Sequence, residues 1–166
     1  MDVYSMCLEI LKNIKLIIYD FDGVMTDNMV YVSQEGVETV RVNRGDGLGI
    51  SGINQLGLHQ IIISTETNPV VAARAEKLKI ECYHGVEDKL SCIQEYSIEH
   101  DIPLRKIAFV GNDINDLEAM QAIGLKICPS DARSEIIQIS DIILSSIGGA
   151  GVVRELYDFI LDKMND

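Results

Sequence analysis

Apolar and polar positions alternate along this chain with two periods. Short, largely apolar runs recur at Leu16-Ile17-Ile18-Tyr19, Gln60-Ile61-Ile62-Ile63, Lys106-Ile107-Ala108-Phe109-Val110, Leu125 to Cys128 and Asp141-Ile142-Ile143-Leu144. Runs of this length without a polar face read as strands buried on both sides. Between them lie stretches with helical spacing: Pro69 to Leu78, Asp88 to Glu99, Ile114 to Ile123 and Gly151 to Lys163. Pro69 sits at a first helical turn and Gly124 just past a last one, which is where each residue is favoured. Strands alternating with helices predict an α/β fold, a Rossmann-like parallel sheet with helices on both faces. The glycine-rich stretch Gly45 to Gly52 is too irregular for a nucleotide fingerprint. It reads as the opening of a helix whose start, Asn43-Arg44-Gly45-Asp46, borders the carboxyl edge of the sheet.

One segment breaks the alternation. Val30-Tyr31-Val32 and Val37 to Val42 are β-rich and joined across Gln34-Glu35-Gly36, which predicts a protruding hairpin over 29–42. A two-stranded hairpin is marginal by itself in water, so it must pack on something. Self-association is the preferred reading, and folding back on its own domain is the alternative. Residues 1–13 read as a short helical extension and a candidate oligomer contact. No repeat, low-complexity tract or linker divides the chain, so residues 1–166 read as a single domain.

Composition narrows the partners. A net charge of −12 argues against nucleic acid, whose affinity rests on Lys and Arg neutralising phosphates. The same charge repels small anions, so any phosphate site must build its own positive field from a metal ion, a lysine or helix N-termini. Cys7, Cys82, Cys92 and Cys128 have neither C-x-x-C spacing nor a neighbouring His pattern, which favours a reduced, cytoplasmic protein. The N-terminus lacks a basic signal-peptide start, and the longest uncharged stretch, Gly47 to Thr65, is too interrupted to span a membrane.

Candidate chemistry gathers at the strand ends. Asp20-Phe21-Asp22-Gly23-Val24 directly follows the first strand, and carboxyl ends of strands are where open α/β sheets present their sites. Two carboxylates spaced i, i+2 there suit one phosphate ester, one attacking phosphorus and the other protonating the leaving oxygen. The alternative is an ordinary acidic turn. Ser64 ends the strand Gln60 to Ile63, and Asn112, Asp113 and Asp116 follow the strand Lys106 to Val110 through Gly111. All of these should converge on one edge, with Lys89 supplying a cation. Ser64 by itself would equally serve as a helix cap. His59, His84 and His100 show no ligand spacing, and only His84 falls near the expected pocket rim.

In their order, Asp20-x-Asp22-Gly23, Ser64, Lys89 and Gly111-Asn112-Asp113-Ile114-Asn115-Asp116 resemble the four motifs of the haloacid dehalogenase superfamily of phosphatases. The resemblance covers the chain from Lys15 to its end. It implies that Asp20 forms an aspartyl-phosphate, an unperturbed carboxylate being ionised at neutral pH without a helper base. Asp22 is implied as the acid and then the base, its pKa raised by neighbouring carboxylates. Mg2+ is implied on Asp20, the backbone carbonyl of Asp22 and the side chain of Asn112, with Ser64 and Lys89 on the phosphoryl oxygens. Asp116 is implied to orient Lys89 or the metal's waters. The family usually carries Asp where this chain has Asn112, which removes a negative charge from the metal site. Asp113 is the candidate to compensate, directly or through water.

The intervals Asp22 to Ser64 and Ser64 to Lys89 leave no room for a cap domain. The capless branch that the chain resembles includes phosphatases of 3-deoxy-octulosonate 8-phosphate and of nonulosonate (sialic-acid-type) 9-phosphates. In that branch four hairpins join as a central barrel and a neighbour's C-terminal segment closes each site, so the resemblance implies a homotetramer. Gly148 to Glu155 matches the tail motif, with Arg154 retained and Ala150 in place of an arginine. Thr65-Glu66, where octulosonate enzymes carry Gly-Arg, together with Lys77 looks like the nonulosonate type. Asp46, Glu66, Lys77 and Arg154 are therefore the expected sugar contacts, although Glu66 and Lys77 also read as solvated helix-end charges. The C-terminal domain of animal cytidylyltransferases that activate sialic acids is similar as well. This leaves a tetramerisation module as the alternative of another class.

Overall fold

The computed structural model describes residues 9–164. Residues 1–8 of the expected N-terminal extension lie outside that range, and residues 9–13 form a helical turn that leads into the first strand. Six parallel strands make one sheet: β1 (Leu16–Tyr19), β4 (His59–Ile63), β5 (Glu81–Tyr83), β6 (Ile107–Val110), β7 (Leu125–Cys128) and β8 (Ile142–Ile143). Their spatial order is β5-β4-β1-β6-β7-β8, with β1 at the centre. Every residue of β1 is buried, and its side chains alternate between two cores. Ile17 and Tyr19 face helices α1 (Arg44–Gln55), α2 (Val70–Leu78) and α6 (Val152–Met164). Leu16 and Ile18 face α3 (Lys89–Glu99), α4 (Ile114–Ala122) and α5 (Ser134–Ile139). Period-2 alternation with both faces covered is why the strand reads as a continuous apolar run.

Strands β2 (Thr26–Val32) and β3 (Glu38–Val42) form a separate antiparallel hairpin, beginning earlier than the alternation at Val30 predicts. Its shell is apolar and open: Met29, Val30, Tyr31, Val32 and Val37 are 50–73% exposed. The glycines of α1 have a packing use. A Cβ on Gly49 would fall 2.7 Å from the Val153 carbonyl oxygen, and one on Gly52 would enter the Tyr157 ring. Only bare backbone lets α1 and α6 come this close.

The register sets up the site. Tyr19 pairs with Ile62 of β4 and Val110 of β6, so the three strands end together. Backbone bonds from Asp20 N–H to Val110 C=O and from Gly111 N–H to Ile127 C=O carry the chain just past the sheet. Among the described residues the chain between β1 and α3 holds only the β2–β3 hairpin, α1, β4, α2 and β5, with no inserted domain, and no helix is long and apolar enough to cross a membrane. Cys82, Cys92 and Cys128 are free thiols.

Candidate active site

The aligned strand ends bring Asp20, Asp22, Ser64, Asn112 and Asp113 around one polar pocket, which Asn28, Thr65 and Asn115 complete. Behind it Lys89, 2% exposed, donates to Asp20 Oδ1 at 2.7 Å and to Asp116 Oδ1 at 2.6 Å. Asp116 is fully buried, and its Oδ2 accepts from the backbone N–H of Asn112 at 2.9 Å and of Asp113 at 3.3 Å. Asp113 caps α4 with Oδ1 on the Ile114 N–H, completing a capping box with Asp116. The loop Gly111 to Asp116 is thus fixed by its own carboxylates.

Burial disfavours charge on Lys89, but the Asp20 and Asp116 carboxylates outweigh it and hold the ammonium above its ordinary pKa. Asp20 is pushed upward by burial and then by Asp116, with Lys89 pulling the other way. This corrects the expectation of an unperturbed nucleophile: one lysine between two buried aspartates leaves a net negative charge, which a proton or a cation must balance. Asp22 is also raised, by burial first and by Glu66 as well, while the Thr26 hydroxyl opposes the shift. That hydroxyl accepts from the N–H groups of Gly23 and Asn28 and donates to Asp22 Oδ1 at 3.2 Å. Thr65 and Asn115 lie within the segments that carry the family resemblance, whereas Thr26 and Asn28 belong to no such segment. The positive φ of Asn28, 63°, had no local signal beyond Asn being tolerant of it.

Gly23, at φ +84°, clears the way for Asn112, since a Cβ there would stand 2.0 Å from the amide. One terminal atom of that amide lies 2.9 Å from the Asp22 carbonyl oxygen and 3.0 Å from Asp20 Oδ2. Adjacent ligands of an octahedral Mg2+, each about 2.1 Å from it, stand about 3.0 Å apart. The carboxylate, the carbonyl and an amide oxygen at residue 112 therefore match the ion's spacing, so the donor set fits Mg2+. Among the described residues no cluster of three His, Cys, Asp or Glu could hold a metal, because this set takes two of its donors from an amide and the backbone.

The other expected contacts fall elsewhere. Glu66 is half-buried, its carboxylate accepting from Asn68 N–H at 2.8 Å, near enough to Asp22 to act on its charge. Lys77 is exposed on the last turn of α2, in a separate pocket with Arg44 and Arg74. Arg154 is bound to Asp158 at 3.2 Å, and its guanidinium lies 5.8 Å from the Tyr157 ring centre. Asp46 requires a correction: it is 1% exposed, and its Oδ1 accepts the N–H groups of Val153 and Arg154 at 3.1 and 3.2 Å. It anchors the start of α6 and offers nothing to a sugar.

Residues 56–156 match the family of haloacid dehalogenase-like hydrolases. The chain belongs to that family. It is 32% identical over 151 residues to the 3-deoxy-D-manno-octulosonate 8-phosphate phosphatase KdsC of Escherichia coli K12, covering 90% of this chain and 80% of that one. A solved phosphatase of the same name from Moraxella catarrhalis, in complex with magnesium, phosphate and KDO, superposes with a TM-score of 0.92. It is 31% identical, over 97% of this chain and 93% of that chain. The cobalt-bound Haemophilus influenzae enzyme aligns at 0.88 and 29% identity, over 94% and 92%. Phosphatases of this family use Mg2+. Family and relatives together mark the chain as a phosphoric monoester hydrolase of the sugar-acid phosphate type.

Proposed function

We propose that the chain hydrolyses the phosphate ester of a 2-keto-3-deoxy sugar acid, and that its substrate is a nonulosonate 9-phosphate. The observation that carries the chemistry is the buried Asp20–Lys89–Asp116 cluster opening through Asp20 and Asp22 into one polar pocket. Asp20 attacks phosphorus, a new phosphorus–oxygen bond forming as the bond to the sugar oxygen breaks. Asp22 gives that oxygen its proton, a task suited to a carboxyl whose pKa is raised by burial and Glu66. Water, giving a proton to Asp22, then attacks the phosphorus of the aspartyl-phosphate; the bond between phosphorus and the Asp20 oxygen breaks, freeing inorganic phosphate and the Asp20 carboxylate. Ser64 and Lys89 offset charge on the phosphoryl oxygens. Asp20 Oδ2, the Asp22 carbonyl and the Asn112 amide oxygen would hold Mg2+, with Asp113 beside them. When bound, the ion supplies positive charge that keeps Asp20 ionised and draws in the phosphate.

Glu66 favours the nine-carbon substrate. It directly follows the pocket-lining Thr65 and acts on the charge of Asp22; as an acceptor it would suit sugar hydroxyls, where an arginine would seek the carboxylate. The second reading, 3-deoxy-octulosonate 8-phosphate, is supported by the relatives that carry that name. Side-by-side kinetics decide between them: a kcat/KM at least about tenfold higher for nonulosonate 9-phosphate is expected, and a preference for the eight-carbon ester overturns the assignment.

The open apolar hairpin supports a homotetramer, in which Lys77 and Arg154, which do not line the pocket of their own chain, would serve a neighbouring one. Tyr31→Glu should shift sedimentation to smaller species and weaken sugar-phosphate turnover together. An unchanged sedimentation profile removes the hairpin as the contact. Turnover itself distinguishes an enzyme from a tetramerisation module: tetramers that release no phosphate from any sugar phosphate would favour the module.

A further inference from the structure

Asn112 does more than replace a negative ligand with a neutral one. Its inward terminal atom faces only acceptors, the Asp22 carbonyl at 2.9 Å and Asp20 Oδ2 at 3.0 Å. An oxygen in that place crowds two other oxygens and is favourable only with a cation among them. A nitrogen there donates to both, and hydrogen bonds from an amide to a carboxylate are charge-assisted. The two arrangements differ by a half-turn about the last side-chain bond, in a slot that Gly23 leaves open. An aspartate at 112 would have only the oxygen form.

We propose that Asn112 is a reversible plug for the metal site: without metal its NH2 group satisfies Asp20 and the Asp22 carbonyl, and metal binding requires the amide to turn over. The proposal rests on the Mg2+ site of the proposed function. Asp20 is then paired on both oxygens in the metal-free protein, Oδ1 with Lys89 and Oδ2 with the amide. The amide so protects a charge cluster that would otherwise repel itself. The consequence is a metal-free form that keeps its fold, and a Mg2+ affinity below that of a site with aspartate in the same place. The lost charge and the broken amide bonds act in the same direction.

Titration calorimetry with MgCl2 on the natural protein and on Asn112→Asp is the first measurement, and the side-chain amide resonance of Asn112 is the second. Asn112→Asp should bind Mg2+ about tenfold or more tightly, one added charge near the ion being worth at least that factor. It should also melt at a lower temperature than the natural protein in chelator, and gain more from added Mg2+. In the natural protein the Asn112 amide protons should exchange slowly with solvent in chelator, then shift and lose protection at saturating Mg2+. Equal affinities in the two proteins, or an amide unmoved by bound Mg2+, overturn the plug while leaving the metal site intact. No Mg2+ binding by either protein overturns the site reading as well.

Discussion

The rim around Lys89 and the seat of Asp46 both bury aspartates, and they handle the charge in opposite ways. At the rim every carboxylate oxygen toward the interior has a partner. Lys89 joins Asp20 and Asp116, and Asp116 also holds the next loop through two backbone N–H groups. At the seat Asp46 uses one oxygen to hold the first turn of α6, while its Oδ2 and the nearby Arg74 Nε are buried without a partner among the described residues. The rim costs desolvation and recovers it in ion pairs that also position reactive groups. The seat costs desolvation for a helix anchor alone. Burial of an acid therefore does not mark chemistry; convergence on a strand-end pocket beside a buried cation does.

The strongest way to break this contrast is Asp20→Asn. It should lower phosphate release by about 10⁴-fold or more, as loss of a nucleophile does, while thermal melting barely changes, since Lys89 keeps Asp116 as a partner. Residual activity within tenfold of the natural enzyme would remove Asp20 as the attacking group. Lys89→Met comes next. It leaves two buried carboxylates uncompensated, and breaking such a cluster costs about 3–5 kcal/mol. Urea unfolding at fixed protein concentration should show a midpoint lowered accordingly, with phosphatase activity lost even where the protein remains folded. A loss below about 1 kcal/mol would mean the rim is far more hydrated than its geometry implies.

Sequence patterns reached the rim more easily than the seat, for physical reasons. Strand ends at Tyr19, Ile63 and Val110 follow from apolar runs that stop at a polar residue or at Gly111, and the parallel register then assembles Asp20, Ser64 and Asn112. Asp46 has the same local look, an acid among glycines at the start of a helix. Its direction is set by α6, more than a hundred positions away in the chain, and no local pattern encodes that contact. Strand β5 and helix α5 escaped for a different reason: one is a three-residue edge strand with no buried position, the other a six-residue helix whose Arg133 makes no side-chain cap. The raised pKa of Asp22 was legible in direction but not in cause, because burial, its largest source, appears only once Thr26 and the hairpin base fold over it.

The smallest expected effect sharpens the comparison most, because it isolates the seat. Burial lifts the Asp46 carboxyl from 3.8 to about 6, against the pull of the Val153 and Arg154 N–H groups and the Arg74 charge. A raised carboxyl pKa means that the folded protein holds this proton more tightly than the unfolded chain. Below pH 3.8 both states carry it and the group contributes no penalty. As pH climbs from there to about 6 the unfolded chain ionises first, so stability contributed at this position falls, and above about 6 the loss is complete. Two pKa units correspond to about 3 kcal/mol. Asp46→Asn keeps an acceptor for the α6 N–H groups and removes the ionisation. Relative to the natural protein it should gain up to about 2–3 kcal/mol between pH 4 and pH 7, read as the difference between two urea-midpoint profiles. Phosphatase kcat should hardly move, because Asp46 does not line the pocket. Parallel profiles would mean that Asp46 ionises as freely in the fold as outside it, and a large fall in kcat would return it to the list of sugar contacts.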